Sequence, residues 1–204
     1  MAGMAASAVL SACGGGSRQD ASEPNATFPV QIAAATFPTS QTLAQHTHLI
    51  VAVRNTGRRT IPDVAVTITD PKYGTSVQAF GKYLSQPGLA SHSRPVWIVD
   101  RAPEPGACAY SCQSGGPGGA VSAYSNTWTL GALRPGQTAK FDWALTAIVP
   151  GKYVVQYVVA AGLNGKAKAR LSGGGIPKGS FHVTISAKPQ QSFVTGSGQV
   201  VKTG

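Results

Sequence analysis

The stretch LIVAVRNTGRRTIPDVAVTI, residues 49–68, decides the fold. Leu49, Val51 and Val53 occupy alternate positions, and so do Val64, Val66 and Ile68. Successive side chains of a β-strand point to opposite faces, so each set lines one face of a half-buried strand. Asn55, Thr56 and Gly57 supply turn chemistry between them. The stretch predicts two strands joined by a polar, arginine-bearing loop.

The same period recurs on both sides. Upstream, residues 30–33 read as a first strand. Downstream, Phe141, Trp143 and Leu145 alternate with Lys140, Asp142 and Ala144. Before them, Leu133-Arg134-Pro135-Gly136 makes a turn, because proline fixes φ and glycine accepts a positive one. Residues 153–159, YVVQYVV, are apolar on both faces and are expected at the centre of a sheet. Asn164-Gly165 signals a hairpin, with residues 166–170 as its returning strand. Phe181, Val183 and Ile185 form a last inward face. Residues 70–125 read as a long, partly ordered insertion, with many turn residues, a short apolar run at 96–99 and a glycine-rich stretch at 115–119. No stretch reads as a helix. Short strands separated by turns predict an all-β protein, a β-sandwich.

Residues 49–68, together with LGALRPGQTAKFDWALTAIVPGKYVVQYVVAAG at 130–162, resemble bacterial immunoglobulin-like domains of the cell-adhesion-related (CARDB) and conserved-repeat kinds. The shared features are inward valines, an Asn-x-Gly turn and Leu-x-x-Leu-x-Pro-Gly before a long strand. The resemblance covers roughly half the chain and leaves out the insertion. It implies an immunoglobulin-like β-sandwich with a long inserted loop region, used as an interaction or spacer module of envelope and surface proteins. Such domains share no catalytic residues, so none is assigned.

Residues 1–10, MAGMAASAVL, resemble the end of a secretory signal without its basic beginning, which places the expected translation start further upstream. Leu10-Ser11-Ala12-Cys13 resembles a bacterial lipobox, in which the cysteine is acylated and becomes the mature N-terminus. Cys13 is therefore the expected lipidation site. Residues 1–12 are the partial lipoprotein signal, 13–26 a flexible linker reaching roughly 20 Å, 27–188 the sandwich and 189–204 a polar, loose tail. No later segment approaches the ~18 consecutive apolar residues of a membrane span. The expected location is extracytoplasmic, anchored to the membrane of a bacterial envelope.

Charge points to the same surroundings. Only 12% of residues are charged, yet the formal net charge is +10, because 17 Lys and Arg face 7 Asp and Glu. A positive field favours anionic lipid or phosphate-bearing envelope polymer, and serves solubility equally well. An unidentified protein partner is also compatible with such a module. In an immunoglobulin-type sandwich the B–C and F–G loops cluster at one end. With the strand at Leu49 as B and that at Tyr153 as F, Arg54, Arg58 and Arg59 share an end with Lys166 and Lys168. Strand A runs antiparallel to B, so the N-terminal tether leaves from this basic tip, which would face the membrane. A lipid chain and a basic patch together make a two-signal anchor.

Cys108 and Cys112, in CAYSC, are read first as a loop disulfide of an exported protein, with a metal or redox pair as alternatives. So small a ring stabilises by only about 2 kcal/mol. His46 and His48 alternate on one strand and, with His92 or His182, could approach a transition metal, but histidines near a strand end are commonly just solvated. No metal or other cofactor is expected. The chain has no Gly-x-Ser-x-Gly, His-Glu-x-x-His or phosphate-loop motif, and GGGIPKGS at 173–180 has its glycines and lysine in the wrong order for the last. Carboxylates are few and scattered, which argues against a paired-acid glycosidase, and with these templates unmatched an enzyme is not expected. Aromatics sit at core-facing positions rather than among basic residues, which argues against nucleic-acid binding. The expectation is a non-catalytic, lipid-anchored envelope module. The competing reading is a small-ligand or metal-binding lipoprotein that uses the 70–125 insertion.

Overall fold

The computed structural model describes residues 23–104, 126–189 and 191–203. In chain order the strands are β1 (Ala26–Thr36), β2 (Ser40–Leu43), β3 (His46–Asn55), β4 (Ala65–Thr69), β5 (Gly81–Tyr83), β6 (Ser93–Pro95), β7 (Trp97–Arg101), β8 (Thr127–Thr129), β9 (Thr138–Ala147), β10 (Gly151–Ala160), β11 (Ala167–Arg170), β12 (Lys178–Pro189), β13 (Gln191–Val194) and β14 (Val200–Thr203). No helix occurs among the described residues. One sheet has the order β11-β1-β3-β9-β7 and the other β2-β12-β10-β4-β8.

This order defines an immunoglobulin-like β-sandwich. β1, β3, β9 and β7 stand as strands A, B, E and D, and β4, β10 and β12 as C, F and G. After β1 the chain changes sheets, and β2 pairs in parallel with β12. The alternation read from sequence is the burial observed. Leu49, Val51 and Val53 from one sheet, and Val64, Val66 and Ile68 from the other, are all buried in the shared core. β10 lies at the middle of its sheet, between β12 and β4. The core is strongly aromatic. Trp143 packs edge-on against Trp128 with ring centroids 5.4 Å apart, and Phe80 touches Trp97, Trp128 and Trp143. The Trp97 indole N–H donates to Oε1 of the buried Gln41 at 2.7 Å, which satisfies both polar groups inside the core.

Three sequence expectations need correction. Residues 96–99 are not insertion. Val96 and Trp97 are buried, and β7 closes the edge of the first sheet against β9. The strand after Asn164-Gly165 does not return along β10. It crosses to the other sheet and pairs in parallel with β1, Ala26 opposite Ala167 and Pro29 opposite Arg170. The tail is not structureless either, because β13 and β14 form an antiparallel hairpin that leaves Phe193, Val194 and Val200 exposed. Cys13, Cys108 and Cys112, with the lipidation and disulfide expectations attached to them, lie outside the described residues.

Candidate functional site at the basic end

The first loop of the opening stretch is shaped by Asn55. This side chain is fully buried, and its Oδ1 accepts the N–H of Gly57 at 2.9 Å. Its Nδ2 donates to the carbonyls of Arg59 and Leu133, both at 2.9 Å. The Asn55 backbone also exchanges bonds with Gln137 and Gly136 of the turn before β9. One asparagine therefore ties the B–C loop to the turn leading into strand E. Gly57 is needed for a different reason: a Cβ there would lie 2.9 Å from the ring carbons of Pro29 in β1. Gly136 has φ +77°, the positive value its place in the turn called for.

The N-terminal segment enters the sandwich beside this loop and is clamped there. Glu23 accepts the backbone N–H of Asn164 and that of Ala167, each at 2.6 Å. Burial raises the Glu23 pKa, but the N–H groups of Ala167, Asn164, Lys166 and Leu163 outweigh it and hold the carboxyl below its ordinary value. The carboxylate sits so close to Gly162 that a Cβ on that residue would fall 2.3 Å from Glu23 Cδ. Asp63, the other carboxylate here, turns toward β8, where the Thr129 hydroxyl donates to it. Burial pushes Asp63 up to about 6; the Gly131 N–H opposes this and the charge of Glu23 adds to it.

The cations stand at the same end of the sandwich. Arg54 ends β3 on its outer face, opposite Gln31. Arg58 and Arg59 are exposed in the B–C loop, and Arg59 also donates to the Thr27 carbonyl at 3.2 Å and lies over the Phe28 ring at 5.0 Å. Lys166 is exposed beside Gly165, and Lys168, opposite Thr27, points outward between the buried Ala167 and Ala169. All five residues predicted for the tip are thus brought to one end. Arg134 joins them from the turn that Asn55 holds, and was missed. The signal was available: strand E runs antiparallel to B, so the turn before E must lie next to the loop after B. Among the described residues none of these six cations is in an ion pair. The end is therefore a positive surface whose acids are otherwise engaged.

The histidines are not brought together. His46 and His48 share the outer face of the first sheet, His182 lies on β12 of the second sheet, and His92 precedes β6. His48 Nδ1 is 2.7 Å from Asp142, which also pairs with Lys140 at 2.9 Å. His46 Nδ1 lies 2.8 Å from the Thr146 hydroxyl, which donates to Asp100 at 2.6 Å. These carboxylate neighbours come from strands E and D, across the sheet, and no spacing within β3 announces them. Among the described residues no group of three or more His, Cys, Asp or Glu is placed to hold a metal ion. No described helix is long and apolar enough to cross a membrane.

Comparison with protein-family models and with curated proteins yields no match. Among solved structures, the chain is similar to the CARDB domain of the PF1109 protein from Pyrococcus furiosus. The solution structure of that domain is 11% identical with a TM-score of 0.39, covering 79% of this chain and 94% of that one. A crystal structure of the same domain in complex with di-metal ions is 13% identical with a TM-score of 0.38, at 79% and 93% coverage. The seventh PapD-like domain of human CEP192 is 13% identical with a TM-score of 0.37, covering 83% of this chain and 91% of that one. Salmonella alpha-2-macroglobulin is 13% identical with a TM-score of 0.37 over 81% of this chain, which spans 7% of that much longer protein. These likenesses concern strand arrangement, and the fold assignment rests on the strand order itself.

Proposed function

We propose that this chain is a non-catalytic module of a bacterial envelope, anchored by a lipid on Cys13, whose basic end lies against an anionic membrane surface. The observation that supports it most is the meeting of two features at one end of the sandwich. Glu23 clamps the incoming N-terminal segment to the F–G loop, and the same end of the sandwich carries six cations that make no ion pair among the described residues. Cys13 precedes Glu23 by only ten residues, so a lipid there would keep this end, rather than the opposite one, near the bilayer. Each Lys or Arg near an anionic surface contributes on the order of 1 kcal/mol, so the basic end adds to the hold of the lipid and orients the sandwich on the surface.

Vesicle binding tests the reading. Arg54, Arg58, Lys166 and Lys168 are replaced together by Gln, leaving Arg59 in place because it also packs on Phe28. Wild type binds vesicles containing phosphatidylglycerol more tightly than neutral ones, and the preference fades with added salt as screening shortens. The variant loses at least tenfold of the anionic preference. Equal affinity of the two proteins for anionic vesicles overturns the proposal.

A further inference from the structure

Away from the basic end, residues 70–95 build a small cleft that the membrane reading leaves unused. It has a volume of about 170 Å³. Thr75, Ser76, the apolar Val77 and Gln78 form one wall, Ser91 and Ser93 the other, and Asn126 closes the inner end. Among the described residues no charged side chain lines it, and Arg94 lies behind the second wall, donating to the carbonyls of Ser91 and Ser93. Hydroxyls and primary amides present donors and acceptors in mixed order.

Several features hold the cleft in shape. Asn126 is buried; it accepts the Ala79 N–H and donates to the Val77 carbonyl, both at 2.7 Å, which pins the first wall to the start of β8. The Ser93 hydroxyl accepts the Gln78 N–H at 2.7 Å and joins the two walls at their base. Gly81 lets the hairpin close up: a Cβ there would lie 2.7 Å from Gln78 Cγ and 2.9 Å from Ser93 Oγ. Beside the cleft, Tyr73, Tyr83 and His92 stack in series with centroids 4.9 and 5.5 Å apart, fastening the β5–β6 hairpin to the turn at Tyr73. Three non-glycine residues among those described have positive φ, and two of them, Phe80 at 62° and Asn126 at 45°, belong to this construction. Such backbone costs on the order of 1 kcal/mol or more per residue and persists where the surroundings over-determine it, commonly at ligand sites.

We infer that this cleft is a binding site for a neutral, polyhydroxylated ligand the size of one sugar ring. The lining argues the class. With no fixed charge, the cleft offers an ionic group no counter-charge to replace its hydration. An apolar group would leave the exposed Gln78 amide and Thr75 hydroxyl facing it without partners. A sugar ring carries alternating hydroxyl donors and acceptors and matches this lining. Its hydrogen bonds reach the Gln78 amide, the Thr75 hydroxyl and the donor protons of Ser91 and Ser93. The walls are preformed, so little ordering opposes binding. The ligand is either a free monosaccharide or one residue of a glycan.

The test follows the side-chain amides of Gln78 and Asn126 by NMR while the full chain is titrated. The probes are glucose, galactose, mannose and N-acetylglucosamine, up to about 50 mM, since so small a ligand binds with Kd on the order of 1 mM. At least one sugar produces saturable shifts of these amides. Gln78→Ala, at a position where the wild-type side chain is exposed, keeps the fold and weakens binding about fivefold or more, read from the Asn126 amide. A trisaccharide of the binding sugar distinguishes the sources. Tighter binding than the monosaccharide assigns a glycan and equal binding a free sugar, and either supports the site. No saturable shift with any of the four sugars, shifts confined to other residues, or unchanged affinity in Gln78→Ala overturns it.

Discussion

Glu23 holds Ala167 across 144 residues of sequence, its Oε1 accepting the Ala167 N–H at 2.6 Å while Oε2 takes that of Asn164. This contact joins the entering chain to the F–G loop and fixes the end of the sandwich from which the tether departs. Glu23→Gln is expected to cost about 1–2 kcal/mol in chemical denaturation, the range for a charge-assisted bond replaced by a neutral one. Gly162→Ala, which displaces the same carboxylate, is expected to cost a similar amount. The double variant is expected to cost little more than either single one, because each removes the same interaction. Since the Glu23 pKa is lowered on folding, its contribution is present above 4.5 and disappears as pH falls through the folded value.

Asp63 is expected to act in the opposite sense. Its pKa rises from 3.8 to about 6 on folding, so the folded chain holds this proton more tightly than the unfolded one. Stability from this group is full below 3.8 and is lost as pH climbs through about 6. Asp63→Asn keeps an acceptor for Thr129 while removing the charge. It is expected to stabilise the protein at pH 8 by on the order of 2 kcal/mol and to change little at pH 4. Urea melts of both proteins from pH 4 to 8 check the window.

The Asn-x-Gly loop yields a prediction about packing. Asn55→Ala removes the bonds to the carbonyls of Arg59 and Leu133 and the acceptor of the Gly57 N–H, while the Leu133 carbonyl keeps the Ile61 N–H, and it is expected to cost about 1–3 kcal/mol. Gly57→Ala pushes a methyl into the rigid Pro29 ring and is expected to cost about 1–3 kcal/mol despite its small size. Thermal melts of both, beside Thr56→Ala as an exposed neighbour, separate these effects from a general intolerance of the loop.

The anchor has its own check. Expressed with its native upstream region, wild type is expected to enter the detergent phase on phase separation and to carry an acylated Cys13. Cys13→Ala is expected to stay aqueous. Mass spectrometry of the N-terminal peptide reads the modification directly.

Strands β3, β4 and β9 were legible in the sequence because each buries one face against the other sheet, so the alternation of Leu49 to Val53 or Phe141 to Leu145 records the pleat, and β10 was legible from its unbroken apolar run, which fits its place between two neighbours. The basic end followed from those strands once two of them were identified as B and F. What remained hidden depends on pairings between distant segments. β7 buries the consecutive Val96 and Trp97 where the chain turns into the sheet edge, and such a short run shows no period. β11 looks like the return of a hairpin, and only the sheet reveals that it lies beside β1. Arg134 reaches the basic end through the Asn55 bond to Leu133, and Asp100 and Asp142 reach the histidines across strands. The cleft was less legible still, since its walls come from segments separated by the β5–β6 hairpin and its inner end from Asn126.

The most direct test of the central claim is paramagnetic broadening of amide signals on anionic vesicles carrying gadolinium at the headgroup. The account predicts strong broadening at residues 56–59, 134, 136, 137 and 163–166, at the end held by Glu23, and little at 44–45 and 148–149, which lie at the far end of β3, β9 and β10. Broadening concentrated at the far end, or spread evenly over the sandwich, would contradict it.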